Sequence, residues 1–143
     1  ADITFDENYT INLANGVNVE LKEFKMSGVS LNQTVAYLPS INSLVVGDLV
    51  HYNAHAWLEG PIVNGHPAYN GQNWIDVLKK IQTLYQANTI VYGGRGQVGM
   101  LSVVVPQQID YLKKADNIVN NYINSLDGKN LTEKKSKINY AVF

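Results

Sequence analysis

The dipeptide Asn15-Gly16 sits between two β-rich runs and constrains what this third of the chain can fold into. Asn-Gly suits a two-residue hairpin because both positions tolerate the left-handed backbone that such a turn needs. Before it, Ile3–Phe5 and Tyr9–Leu13 read as strands separated by the turn-forming Asp6-Glu7-Asn8. After it, Val17, Val19, Leu21 and Glu23 alternate with Asn18, Glu20 and Lys22, a period of two with one apolar face. Thr34–Leu38 and Ser43–Val46 flank a further turn, Pro39-Ser40-Ile41-Asn42, and Val46 leads directly into Gly47-Asp48. A mostly antiparallel sheet is the expectation for this third of the chain.

Residues 50–71 have no clear period and hold all three histidines, so they read as a long excursion of the kind that is disproportionately functional. Asn70 is a plausible N-cap for a helix whose face is Trp74, Val77, Leu78, Ile81, Leu84 and Tyr85. A strand, Thr89–Tyr92, precedes the glycine-rich loop Gly93–Gly99. A second helix is expected from Pro106, with Ile109, Leu112, Val119, Tyr122, Ile123 and Leu126 on one stripe and Asp127-Gly128 as its stop. The tail after Thr132 is compatible with another helix. The fold class expected is α/β (α+β), with a mixed, mostly antiparallel sheet and helices packed on one face.

Composition narrows the function classes. A chain of 143 residues suits one domain, here residues 1–143. With no cysteine there is no disulfide framework, no thiolate metal site and no thiol nucleophile. A net charge of −1 argues against a nucleic-acid surface. No apolar run approaches the ~18 residues of a membrane span, and no basic start followed by an apolar run reads as a signal peptide, so a soluble domain is expected. Charged residues are only 16%, against about 25% in typical domains. Asparagine makes up much of the difference. Either asparagine solvates the surface, or part of the surface is buried against something outside the chain.

Two constellations invite chemistry. Gly94-x-Gly96-x-x-Gly99 follows a strand and precedes a helix, the local setting of a dinucleotide fingerprint. That fold also needs a second parallel strand ending in an acidic residue about 20 positions on, where this chain has helix around Asp116. A tight strand-to-helix turn is the favoured reading. Asp48, His51 and His55 would share a metal only if their segment were helical, and Asn53 argues against a helix there. No nucleophile-elbow pattern is present.

Taken together, the segments resemble the C-terminal half of a metallo-β-lactamase-fold hydrolase, from about Ile3 to Leu126. Ile3–Asp6 through the hairpin to Val19-Glu20-Leu21 resembles the strand pair before that family's third metal motif. Gly28–Pro39 lies over a G-H-T-P-G-x-T-x-x-Y-L-P pattern, and Leu44–Val50 over the strand that ends in a metal-bridging aspartate. His55-Ala56-Trp57-Leu58 is similar to an H-x-W-L that follows in the family, and Ile90–Gly99 lies over V-x-P-G-H-G-P-V-G.

The resemblance implies an αββα sandwich, of which this chain supplies half, and a zinc centre that makes hydroxide from bound water. The departures are at the ligands. The H-x-H-x-D-H cluster is absent from the chain, and the two histidine positions hold Val29, an aliphatic, and Arg95, a permanent cation. Asp48 alone remains as a metal ligand. The implied chain has no cofactor and no catalytic residue of its own, with His55, Trp57 and Arg95 as possible ligand contacts. The alternatives are a fragment of a zinc-dependent hydrolase completed by an absent N-terminal half, and a small-ligand or partner-binding module. Half a sandwich leaves the inner sheet face uncovered around Val17, Val19, Val35 and Val45, so a homodimer or the missing half is the expected partner, with neither nucleic acid nor membrane involved.

Overall fold

The strands form where side chains alternate between two environments. In the computed structural model, which describes residues 3–125, β1 (Asn8–Asn12) and β2 (Asn18–Phe24) make the expected hairpin, but through the five residues Leu13–Val17 with a 3-10 turn at Ala14–Gly16 in place of a two-residue turn. Asn15 and Gly16 take φ of 61° and 74° in its turn, the left-handed backbone the dipeptide tolerates best. Ile3–Phe5 is not a strand; Phe5 instead stacks its ring on Tyr9, with centroids 5.9 Å apart. β3 (Gln33–Leu38) and β4 (Ser43–Tyr52) continue the antiparallel order across a short 3-10 turn at Pro39–Ile41.

β4 runs well past Val46, and it pairs in parallel with β7 (Ile90–Gly96). The connection carries a small hairpin, β5 (Ile62–Val63) with β6 (His66–Pro67), and then α1 (Gly71–Leu84). β8 (Gly99–Met100) closes a six-stranded sheet in the order β1-β2-β3-β4-β7-β8, antiparallel throughout except for β4 with β7. This is the mixed, mostly antiparallel sheet the sequence implies. No helix among the described residues is long and apolar enough to cross a membrane.

α1 begins where Asn70 caps it: the side-chain oxygen accepts the Asn73 backbone N–H at 2.9 Å. Trp74, Ile75, Val77, Leu78 and Ile81 are buried, while Leu84, at the end of the expected stripe, is 53% exposed. The Trp74 indole N–H donates to the Leu49 carbonyl at 3.0 Å, tying the helix to β4. α2 (Leu101–Ser125) starts before Pro106, not at it. The backbone N–H groups of Leu101 and Ser102, orphaned at a helix start, donate to the Thr89 and Ala87 carbonyls of the α1–β7 connection at 2.8 and 3.0 Å. Pro106 therefore lies in the second turn, where it removes the hydrogen bond to the Ser102 carbonyl and its ring crowds that carbonyl.

The chain divides into two compact units, Ala1–Leu112 and Lys113–Phe143. In the first, α1 and Leu101, Val104, Val105 and Leu112 of α2 share one core with Val35, Leu44, Val46 and Val91 of the sheet. The second unit is described over residues 113–125, the rest of α2, where Ile118, Val119 and Tyr122 are exposed. Leu126, the stop at Asp127-Gly128 and the tail after Thr132 lie outside the described residues.

The sheet has two unlike faces. Leu44 and Val46 are buried, and Val45 between them is 43% exposed, as the two-residue period of a strand requires. Register carries the distinction across the strands: Tyr37, Leu44 and Val91 lie on the covered side, and Leu21, Ala36, Val45 and Tyr92 on the other. Val35, expected on the uncovered face, belongs to the core at 1% exposure, because it neighbours Ala36 and so points the opposite way.

This packing distinguishes positions that look alike in sequence. Ile81→Ala is expected to cost about 2–5 kcal/mol by chemical denaturation, the range for a buried large-to-small change. Leu84→Ala, one turn away on the same expected stripe, is expected to stay within about 0.5 kcal/mol of the parent. Equal losses would contradict the observed orientation of α1.

Candidate functional site

β4 does not end at Asp48, and this changes what surrounds the carboxylate. Asp48 is a mid-strand residue with its side chain 45% exposed, and three positions on, His51 is wholly buried. The two approach to 3.3 Å between Asp48 Oδ1 and His51 Nε2, without the alignment of a hydrogen bond. Burial pushes the His51 pKa below its usual range; Asp48 opposes that shift and the Arg95 charge adds to it. The imidazole is therefore neutral at neutral pH. His51 and His55 share no helical face, since His51 lies near the end of β4 and His55 beyond a turn in which Asn53 takes φ of 57°.

The glycines of the 93–99 segment serve the backbone. β7 passes so close to β4 that a Cβ on Gly93 would strike the Val50 carbonyl and one on Gly96, at φ 84°, the Tyr52 carbonyl. A Cβ on Gly94 would run into the Asp48 carboxylate. These residues form strand β7 and its close approach to β4, so the dinucleotide reading has no loop to act on. Arg95 follows, exposed, and is paired with His51 in the parallel register. Asp48, His51, Gly94 and Arg95 thus come together at one end of the β4–β7 pair. Val29 does not join them as a polar group; it is half-buried and packs against the core.

A cavity of about 310 Å³ lies beside this cluster, lined by His51, Tyr52, Asn53, His55, Gln108 and Tyr111 among others. His55 belongs to it, with Nδ1 3.4 Å from the Tyr111 hydroxyl. Trp57 and Arg95 are not among its lining residues; Trp57 is 43% exposed and donates its indole N–H to Glu59 at 2.9 Å. Gln108 escaped the sequence reading although a signal was available: it is a polar residue four positions from both Val104 and Leu112 on the apolar stripe of α2. Its Oε1 accepts the His51 backbone N–H at 2.9 Å, while its Nε2 and both ring nitrogens of His51 are buried without hydrogen-bond partners. Among the described residues, no three His, Asp or Glu side chains gather as a metal site.

The contact between Gly94 and Asp48 is testable as a coupling. Gly94→Ala is expected to destabilise the chain, and to destabilise it less in an Asp48→Ala background, where the obstructing carboxylate is gone. A double-mutant cycle of denaturation midpoints measures this; strict additivity would mean the two residues do not meet.

No family profile matches the sequence, and no curated protein does. Solved structures do match. A metallo-β-lactamase from Pontibacter korlensis superposes with a TM-score of 0.61 at 23% identity, over 78% of this chain and 48% of that one. TMB-1 gives 0.60 at 20% identity, over 81% and 49%. DIM-1 metallo-β-lactamase gives 0.54 at 20% identity, over 74% and 46%. The chain spans about half the length of the solved proteins it matches. Its six-stranded mixed sheet and two helices are a partial metallo-β-lactamase fold.

Proposed function

We propose that this chain is a metallo-β-lactamase-like half-fold that does not catalyse on its own and acts as an assembly module, through the sheet face that the helical residues of its first unit leave open. The observation that carries this reading is the contrast between its two candidate sites. The fold implies zinc, and a catalytic zinc takes about three protein ligands in fixed geometry. The residues present do not fit one. Asp48 is a competent oxygen donor, but the aligned position at Val29 is an aliphatic packed into the core, and Arg95 brings a fixed positive charge beside His51. The open face is better furnished for its role, since Val45 and Tyr92 present apolar surface at 43% and 42% exposure.

A second reading has its own support. The chain spans about half of the proteins it matches, so an active zinc hydrolase could draw its other ligands from a separate half. The coding sequence upstream discriminates: an intact H-x-H-x-D-H cluster favours the hydrolase. A small-ligand module using the His55 and Tyr111 cavity is the third possibility, and fold alone names no substrate for it.

Elemental analysis after dialysis against a mild chelator tests the proposal. Substoichiometric zinc is expected, and one or two retained ions per chain would contradict it. Val29→His with Arg95→His is expected to raise zinc affinity if the alignment with the family's ligands is right; no gain would break that alignment.

A further inference from the structure

The open face of the sheet carries a pattern that ordinary solvation does not explain. Across five strands, β1-β2-β3-β4-β7, the register places Tyr9, Leu21, Ala36, Val45 and Tyr92 side by side in one row. The row reads the same from either end: aromatic, branched aliphatic, small, branched aliphatic, aromatic. A second row on the same face holds Ile11 with Val19, and Leu38, Ser43, Ile90 and Met100. Neither row contains a charge. Ile11, Val45, Tyr92 and Met100 are each more than a third exposed.

We infer that the partner of this face is a second copy of the chain, docked face to face about a twofold axis that runs parallel to the strands, midway between the two sheets and over β3. The inference rests on the assembly reading above and names its partner. Such an axis reverses strand order, so it sets Tyr9 of one copy over Tyr92 of the other, Leu21 over Val45, and Ala36 over Ala36. A symmetric interface requires one patch to complement itself, and a palindromic row does so without any further matching of sequence. The sizes agree with the twist of a sheet. Packed sheets cross at about 30° and approach most closely at the crossing, where the small Ala36 sits, with the tyrosines toward the diverging ends.

Two further observations bear on the partner. Five strands about 4.8 Å apart make the face roughly 24 Å wide. The low charge fraction of 16% fits a chain whose free surface is smaller than it looks in isolation.

Light scattering on the whole chain at micromolar concentration reads the outcome. The mass is expected to double from 15.9 kDa, and Val45→Glu and Tyr92→Glu, both at exposed positions, are each expected to return it to the monomer with an unchanged circular dichroism spectrum. Ala36→Cys gives a second readout independent of those variants. The chain has no other cysteine, so a short bis-maleimide should join two copies through this position alone. A wild-type monomer that binds an apolar-surface dye would overturn the homodimer and leave the assembly reading standing. A monomer that binds no dye would remove both. A dimer that survives both glutamate variants, or open-ended assemblies, would also overturn the twofold arrangement.

Discussion

Leu44 and Val46 are packed under helices, and Val45 between them turns to the opposite side of β4. A strand has no third option, because successive side chains alternate by geometry. Both faces of a central strand in this sheet are apolar, yet the helical residues of the first unit cover only one of them. Covering that face removes Trp74, Leu78, Ile81, Val104, Val105 and Leu112 from water along with the sheet residues beneath them. At roughly 25 cal/mol per Å² of apolar surface, this burial is the largest favourable contribution available to the chain. On the other face Val45 and Tyr92 remain 43% and 42% exposed.

The same pairing of β4 with β7 shapes the candidate site. Two strands that run in parallel with register shifts bring backbone onto backbone, and glycine is the residue that survives there. The glycines at 93, 94 and 96 are thereby explained without a ligand. Asp48 keeps its place over Gly94, His51 stays neutral beneath it, and Gln108 reaches from α2 to hold the end of β4. Packing of β7 on β4 by itself requires these glycines.

Much of the fold was legible in the sequence, for local reasons. The hairpin follows from the conformational tolerance of Asn15-Gly16, and α1 from its cap at Asn70 and its apolar spacing. Features that depend on distant partners were not legible. Pro106 looked like the first residue of α2 because proline favours that position, but the true start is set by hydrogen bonds to Thr89 and Ala87. Val35 looked equivalent to Val45 until register assigned them to opposite faces. The His51 backbone N–H meets its acceptor on Gln108, 57 positions away, and no local pattern encodes that pairing. Of the site residues, the aliphatic Val29 and the cationic Arg95 were readable as chemistry unsuited to a metal, whereas the cavity beside His55 required the tertiary structure.

Two neighbouring valines of β4 stand in opposite environments: Val46 is sealed in the core of the first unit, and Val45 is 43% exposed on the face proposed to take a partner. A chain without cysteine lets thiol labelling test this against no background. Single variants Val45→Cys and Val46→Cys, treated with a maleimide over a range of protein concentrations, give the comparison. The account predicts that the thiol at 46 stays unreactive throughout, while the thiol at 45 reacts freely in dilute protein and becomes protected as concentration rises. Protection of position 45 at every concentration would mean the chain covers its own second face, and the account would be wrong.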